Sequence, residues 1–253
     1  MELELSALLF LAAAGFFAAF LDAIAGGGGL IGLPALLSVG VPPISALATN
    51  KLQSVVGTTV AAFTYWRRGY IELKPLVIPI ILTFAGSMLG AATAKTIDVE
   101  FLTLLVPILL IAVSIYFMFS PKMTDEASQA RLKFSLFVPV MGFVVGYYDG
   151  IFGPGTGSFF ITGFVTLFGL GVTKAVGNTK VLNATSNLAA LLLFILGGDV
   201  VWVAGGVMII GQIAGGYLGA RTGMRFGSTL IKPLIVVISL TMAIRLLWPT
   251  LFG

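Results

Sequence analysis

The run PLVIPIILTFAGSMLGAATA, Pro75–Ala94, holds twenty residues without a charge. At 1.5 Å per residue, a helix of that length spans about 30 Å, the hydrocarbon thickness of a bilayer. Comparable runs recur at Leu5–Leu21, Phe101–Phe119, Val181–Gly198 and Val200–Ala220. Phe134–Tyr148 and Pro233–Ile244 are shorter and extend at their ends, and Ile44–Trp66 reads as a further span although it contains Lys51. With 9% charged residues and a mean hydropathy of +1.09, the chain lacks the polar surface a soluble protein of its size needs. The expectation is an all-α polytopic membrane protein, multi-pass in the cell (inner or plasma) membrane. The bilayer is then its first partner.

The absence of cysteine and histidine removes thiol nucleophiles, disulfides, Cys/His metal sites and the commonest general base. No span contains a compact carboxylate cluster. An enzyme is therefore not expected, nor a cofactor, a metal site or catalytic residues. The acidic start MELELS lacks the basic region that opens a cleavable signal. The formal charge of +4 reads as topology rather than as a nucleic-acid footprint. Arg67–Lys74, Pro121–Lys133 and Arg221–Lys232 are basic, while Lys95–Glu100 and Gly197–Val200 are not. Basic loops face the cytoplasm, which places the N-terminus outside, with Arg245 as a mild exception. Trp66, Trp202 and Trp248 fall near span ends, as an interfacial belt requires.

An internal repeat organises the chain. GSMLGAATA at Gly86–Ala94 matches GGYLGARTG at Gly215–Gly223 at an offset of 129 residues, and ATNK at Ala48–Lys51 faces GNTK at Gly177–Lys180. With a two-residue insertion, DAIAGGGG at Asp22 faces DGIFGPGTG at Asp149. Equivalent turns differ in charge: Arg67–Lys74 is basic and Leu196–Val203 is not. The expectation is two inverted-topology repeats of about five helical segments each, residues 1–120 and 134–253, joined by a cytoplasmic linker at 121–133. One segment per half is short, Leu30–Val41 and Ser158–Leu170. Such repeats typify secondary transporters that bind substrate near the midplane.

Each half carries a carboxylate, a glycine-rich break, a short apolar segment and Asn/Thr–Lys. Glycine runs weaken helices, and a bilayer tolerates broken helices only where the freed backbone is satisfied. Two broken helix starts near the midplane would present backbone N–H groups and positive dipole ends to an anion. The candidate anion site comprises Gly28, Gly29, Asn50, Lys51, Gly155, Thr156, Gly157, Asn178, Lys180, Asn183 and Asn187. Asn183 and Asn187 share a helix face with Lys180, and Gln53 and Thr58 are weaker counterparts in the first half. Alternatives stay open at each position. The glycines serve close packing, the asparagines act as interhelical glue, and the lysines snorkel or pair with Asp22 and Asp149. Those two aspartates either cap helices or couple transport to an ion. The Gly205–Gly219 face supports a homodimer or packs within one protomer.

The segments GGGGLIGLPALL, ATNKLQSVVGTTVAAFTYWRRGYI and YDGIFGPGTGSFF…GNTKVLNATSN…GARTG resemble the TauE/SafE family of sulfite and organosulfonate exporters. The resemblance covers nearly the whole chain. It implies a secondary carrier for a small sulfur-containing anion such as sulfite, sulfoacetate or another sulfonate, in most cases exporting it. An anion channel or an uptake permease for another small anion on the same scaffold is the alternative.

Overall fold

The computed structural model describes residues 4–98, 108, 111, 112, 115 and 126–226. The expected spans Phe101–Phe119, for the most part, and Pro233–Ile244 lie outside the described residues, as do Trp248, Arg245, Lys122 and Lys232. All regular structure among the described residues is helical: α1 (Leu5–Ala25), α2 (Gly29–Ser38), α3 (Pro43–Arg67), α4 (Val77–Ala94), α5 (Phe134–Ile151), α6 (Thr156–Thr166), α7 (Val172–Leu196) and α8 (Trp202–Phe226), with a 3₁₀ turn at Lys74–Leu76. The turn with α4, and each of α1, α5, α7 and α8, is long and apolar enough to cross a membrane; α2 and α6 are short and apolar. The protein is a multi-pass membrane protein.

Helix α3 has the length to span, 25 residues, but not the apolarity. Its polar residues are turned inward, with Thr49, Asn50, Lys51, Gln53 and Thr58 all buried. Packing between α7 and α8 makes that tolerable. Proline supplies its first residue, Pro43, where no helical N–H is needed.

The two sets of four helices follow one plan. Glycines in the left-handed region recur in register, Gly40 with Gly169 and Gly69 with Gly198 (each 129 apart), and Gly26 with Gly153 (127 apart). The equivalent helices α3 and α7 run antiparallel: Gly177 lies against Tyr65 and Ile71, while Thr49 at the other end accepts a hydrogen bond from Val201 N–H. Between sets, α1 packs along α8 and α4 along α5, each pair parallel. Gly15 meets Met208 and Gly223 meets Ile24, and likewise Gly142 meets Pro79 and Gly150 meets Ala91. Much of the Gly205–Gly219 face is used inside this chain, since Gly211, Gly215 and Gly219 lie on the α1 backbone and Gly216 on Gly57.

Two apolar cores result. One gathers Leu30, Leu33 and Leu36 of α2 with Ala46–Ala48 of α3 and Ala190–Phe194 of α7. The other gathers Phe160 and Phe164 of α6 with Ala61 and Tyr65 of α3 and Val172, Ala175, Val176 and Leu182 of α7. Along both α3 and α7 the polar stretch falls between the cores, close to mid-helix. That layer holds the candidate site.

Arg67, Arg68, Arg221 and Arg225 gather at one end of the bundle, where they line neighbouring grooves between α3 and α8. At the opposite end, Lys95 pairs with Asp199 at 2.9 Å. Trp66 and Trp202 are exposed at opposite ends.

Candidate functional site

Helix α1 stops because Gly26 turns left-handed, with its N–H bonded to the carbonyl of Asp22 at 2.8 Å. Helix α2 restarts at Gly29. In the second half α5 ends at Ile151, and α6 starts at Thr156 after a left-handed Gly155. Both glycine stretches are thus real helix breaks, and they touch. A Cβ at Gly26 would stand 2.3 Å from the carbonyl carbon of Gly157, and one at Gly29 would stand 3.0 Å from Pro154 Cα. Only residues without side chains let the two backbones approach so closely.

Both lysines are buried and paired across the halves. Lys51 Nζ lies 2.8 Å from Asp149 Oδ1, and Lys180 Nζ lies 2.7 Å from Asp22 Oδ2. Each ammonium also donates to the backbone carbonyl of the same aspartate, so it sits on the C-terminal end of a long helix, where a cation is favoured. Such a pair in low dielectric requires close geometry and additional hydrogen bonds to offset desolvation. Asp22 Oδ1 accepts from Gly28 N–H at 3.3 Å, and Asp149 Oδ1 accepts from Thr156 Oγ1 at 2.8 Å. Each aspartate therefore bridges a lysine of the other half to the start of its own short helix. Snorkelling does not occur: the lysines are 1% and 0% exposed.

Between the breaks lies a cavity of ≈ 20 Å³, lined by Asp22, Gly26, Gly29, Asn50, Ser54, Thr58, Asp149, Gly153, Gly157, Asn183 and Asn187. That is room for roughly one water. Of the expected residues, Gly29, Asn50, Gly157, Asn183 and Asn187 reach it, as do Asp22 and Asp149. Gly28, Lys51, Gly155, Thr156, Asn178 and Lys180 are not in the lining. Gly28, Lys51, Thr156 and Lys180 stand behind it through bonds to the aspartates. Ser54, Gly26 and Gly153 are lining residues that the sequence reading did not select. Ser54 follows Asn50 by four residues and precedes Thr58 by four, so the helical period could have found it.

The amides have defined directions. Gln53 Nε2 donates to Asn50 Oδ1 at 2.7 Å, and Asn187 Nδ2 donates to Asn183 Oδ1 at 3.1 Å. With those carbonyl oxygens engaged, the donor Nδ2 ends of Asn50 and Asn183 are left for the cavity. Gln53 is itself held by Gln212, which also donates to the Gly15 carbonyl. Gln212 is a buried residue absent from the sequence reading; a lone amide in a glycine-rich span gave little signal. Among the described residues no group of three or more acidic side chains could hold a metal ion.

Residues 11–246 match the family described as Sulfite exporter TauE/SafE. The chain is 44% identical to the probable membrane transporter protein ORF9 of a Sinorhizobium species, over 97% of this chain and 94% of that one. It is 43% identical to a probable membrane transporter protein of Haemophilus influenzae, over 98% and 97% of the two chains. The probable membrane transporter protein YfcA of Escherichia coli is 45% identical over 91% and 86%.

Proposed function

The chain belongs to the sulfite exporter TauE/SafE family, and from that premise we propose that it is a secondary transporter for a small sulfur-containing anion. Sulfonates, sulfoacetate and sulfite form the substrate class, and export by alternating access is the mode. The observation that carries the reading is the small polar cavity between two mutually touching helix breaks. Amide donors from Asn50 and Asn183 point an anion-compatible face into it, and the hydroxyl of Ser54 adds to that face. The lysines set the electrostatics from behind, through Asp22 and Asp149, rather than as bare cations.

In this reading a cavity this small corresponds to a closed, substrate-free form. The site enlarges when the halves move against each other, and antiparallel α3 and α7 give each side of the membrane an equivalent set of moving parts. Closure at the midplane favours a carrier over an open anion channel. In this reading the arginine-rich end faces the cytoplasm of an inner or plasma membrane, with the N-terminus outside.

The test is counterflow of sulfite, sulfoacetate and simple sulfonates in proteoliposomes, alongside thermal shifts of the purified protein with the same anions and with carboxylates. Exchange of a sulfur oxyanion, with a matching rise in melting temperature, is expected. Current following the anion gradient without exchange would make the protein a channel.

A further inference from the structure

The two buried aspartates are not held alike. Asp22 has both oxygens engaged, Oδ1 by Gly28 N–H and Oδ2 by Lys180. Asp149 has Lys51 and Thr156 on the same oxygen, Oδ1, while its Oδ2 is buried and accepts no hydrogen bond. A buried carboxylate oxygen without a donor is rare enough to require a reason. Asp149 is 1% exposed and lines the cavity.

Charge balance supplies the reason. Lys51 and Lys180 against Asp22 and Asp149 make the closed site neutral as it stands. A monoanion entering alone would leave one uncompensated negative charge in low dielectric, which is strongly unfavourable. Adding one proton to a carboxylate restores neutrality. Resting on the transporter reading above, we propose that Asp149 is the coupling residue: it takes a proton on Oδ2 as the anion enters and releases it as the anion leaves, while Asp22 stays ionised. Protonated, Oδ2 becomes a donor, so the same step turns an anion-repelling oxygen into one that hydrogen-bonds the anion. Lys51 keeps Oδ1 throughout.

Among the described residues, the surroundings offer no rival proton carrier. Helices α4 and α6, packed on α5, carry no ionisable side chain. On α7, Lys180 is committed to Asp22 and Lys174 is exposed. On α5 itself Tyr148 donates to the Pro154 carbonyl, and Tyr147 bonds Thr93. Across the cavity, Asp22 is the other ionisable side chain among the described lining residues, and it is already doubly bonded.

The experiment uses methanesulfonate, a permanent monoanion, with the full chain in proteoliposomes held at zero potential by valinomycin and equal potassium. A methanesulfonate gradient should drive one proton inward per anion, read by an internal pH dye, and the flux should be independent of Na⁺. Infrared difference spectra on adding methanesulfonate should show a protonated-carboxyl C=O band that Asp149→Asn removes and Asp22→Asn retains. Asp149→Glu should shift that band, which serves if Asp149→Asn misfolds. Methanesulfonate flux without protons, or flux driven by Na⁺, overturns the proposal and leaves the transporter reading intact. A band that survives Asp149→Asn and vanishes in Asp22→Asn overturns the assignment of the residue. If methanesulfonate is not carried at all, the sulfonate reading falls and takes this proposal with it.

Discussion

On α3, the polar face Asn50–Ser54–Thr58 is braced from behind: Gln53 holds Asn50, and Gln212 holds Gln53. On α7 the corresponding face is Thr179–Asn183–Asn187, and the bracing positions hold Leu182 and Thr83 instead. On and around that face polar groups are left over: Asn178 Oδ1 and Thr179 Oγ1 on α7, Asp149 Oδ2 on α5 and Thr83 Oγ1 on α4 are buried without hydrogen-bond partners. The two walls share a backbone plan and differ in how fully the polar groups on and behind them are satisfied. A fully bonded network rigidifies, whereas a partly bonded one retains capacity for a ligand or a proton. The α3 face, braced by Gln212 from the second half, is therefore the fixed wall of the site, and the α7 face, backed by Thr83 from the first half, is its responsive wall.

The largest effect that would break this comparison is expected at the point where the halves meet. Gly26→Val should eliminate folded, detergent-stable protein, because it strains a left-handed residue and drives a side chain into the Gly157 backbone. Gly198→Ala, left-handed with open space around it, should cost about 1–2 kcal/mol and leave a folded protein. Size-exclusion chromatography separates the two outcomes.

Next come the crossed pairs. Lys51→Ala and Lys180→Ala should each destabilise by about 3–5 kcal/mol, because each leaves a buried aspartate uncompensated. The losses should be similar, since the pair distances are 2.8 and 2.7 Å. Thermal melts read the size, and the reciprocal swap of Lys180→Asp with Asp22→Lys should recover part of it. If both single variants transported normally, the electrostatic role given to the lysines would be wrong.

Bracing should show a smaller and one-sided effect. Gln212→Leu should cost about 1–3 kcal/mol by leaving the buried Gln53 Oε1 without its donor. Thr83→Val, at the equivalent place, should be neutral or slightly stabilising because its hydroxyl has no partner to lose. Equal losses at both positions would erase the distinction between the walls. The smallest effect belongs to Lys95→Ala, whose partly exposed pair with Asp199 should contribute less than about 1 kcal/mol and fade with added salt.

Much of this was legible before any coordinates. Helix breaks near Gly28 and Gly155 and the two lysines follow from patterns that occur twice, and the Asn183/Asn187 face follows from their helical spacing; recurrence separates signal from glycine-rich background. The crossing of the pairs was not legible. Asp22 precedes Lys51 in one motif and Asp149 precedes Lys180 in the other, so sequence proximity suggests partners within a half. Three-dimensional packing exchanges them, because the touching breaks bring each aspartate to the other half's helix. Ser54 was overlooked because a hydroxyl in a membrane helix is usually satisfied by its own backbone, as Thr58 is by the carbonyl of Ser54. Gln212 has no polar counterpart of its own kind, only Thr83, so the repeat could not announce it.

The glycine seams also constrain how the molecule is made. Helix α1 is synthesised well before α8, whose backbone it fits and which does not begin until Trp202. Until then its small-residue face has only lipid or borrowed neighbours, and Asp22 waits for Lys180 with its charge unmatched. The nascent first half is thus a held intermediate rather than a folded unit, and release of the chain from the insertion machinery becomes the event that closes the bundle. A protein truncated after α4 should be recognised as unfinished by quality control, however apolar its spans.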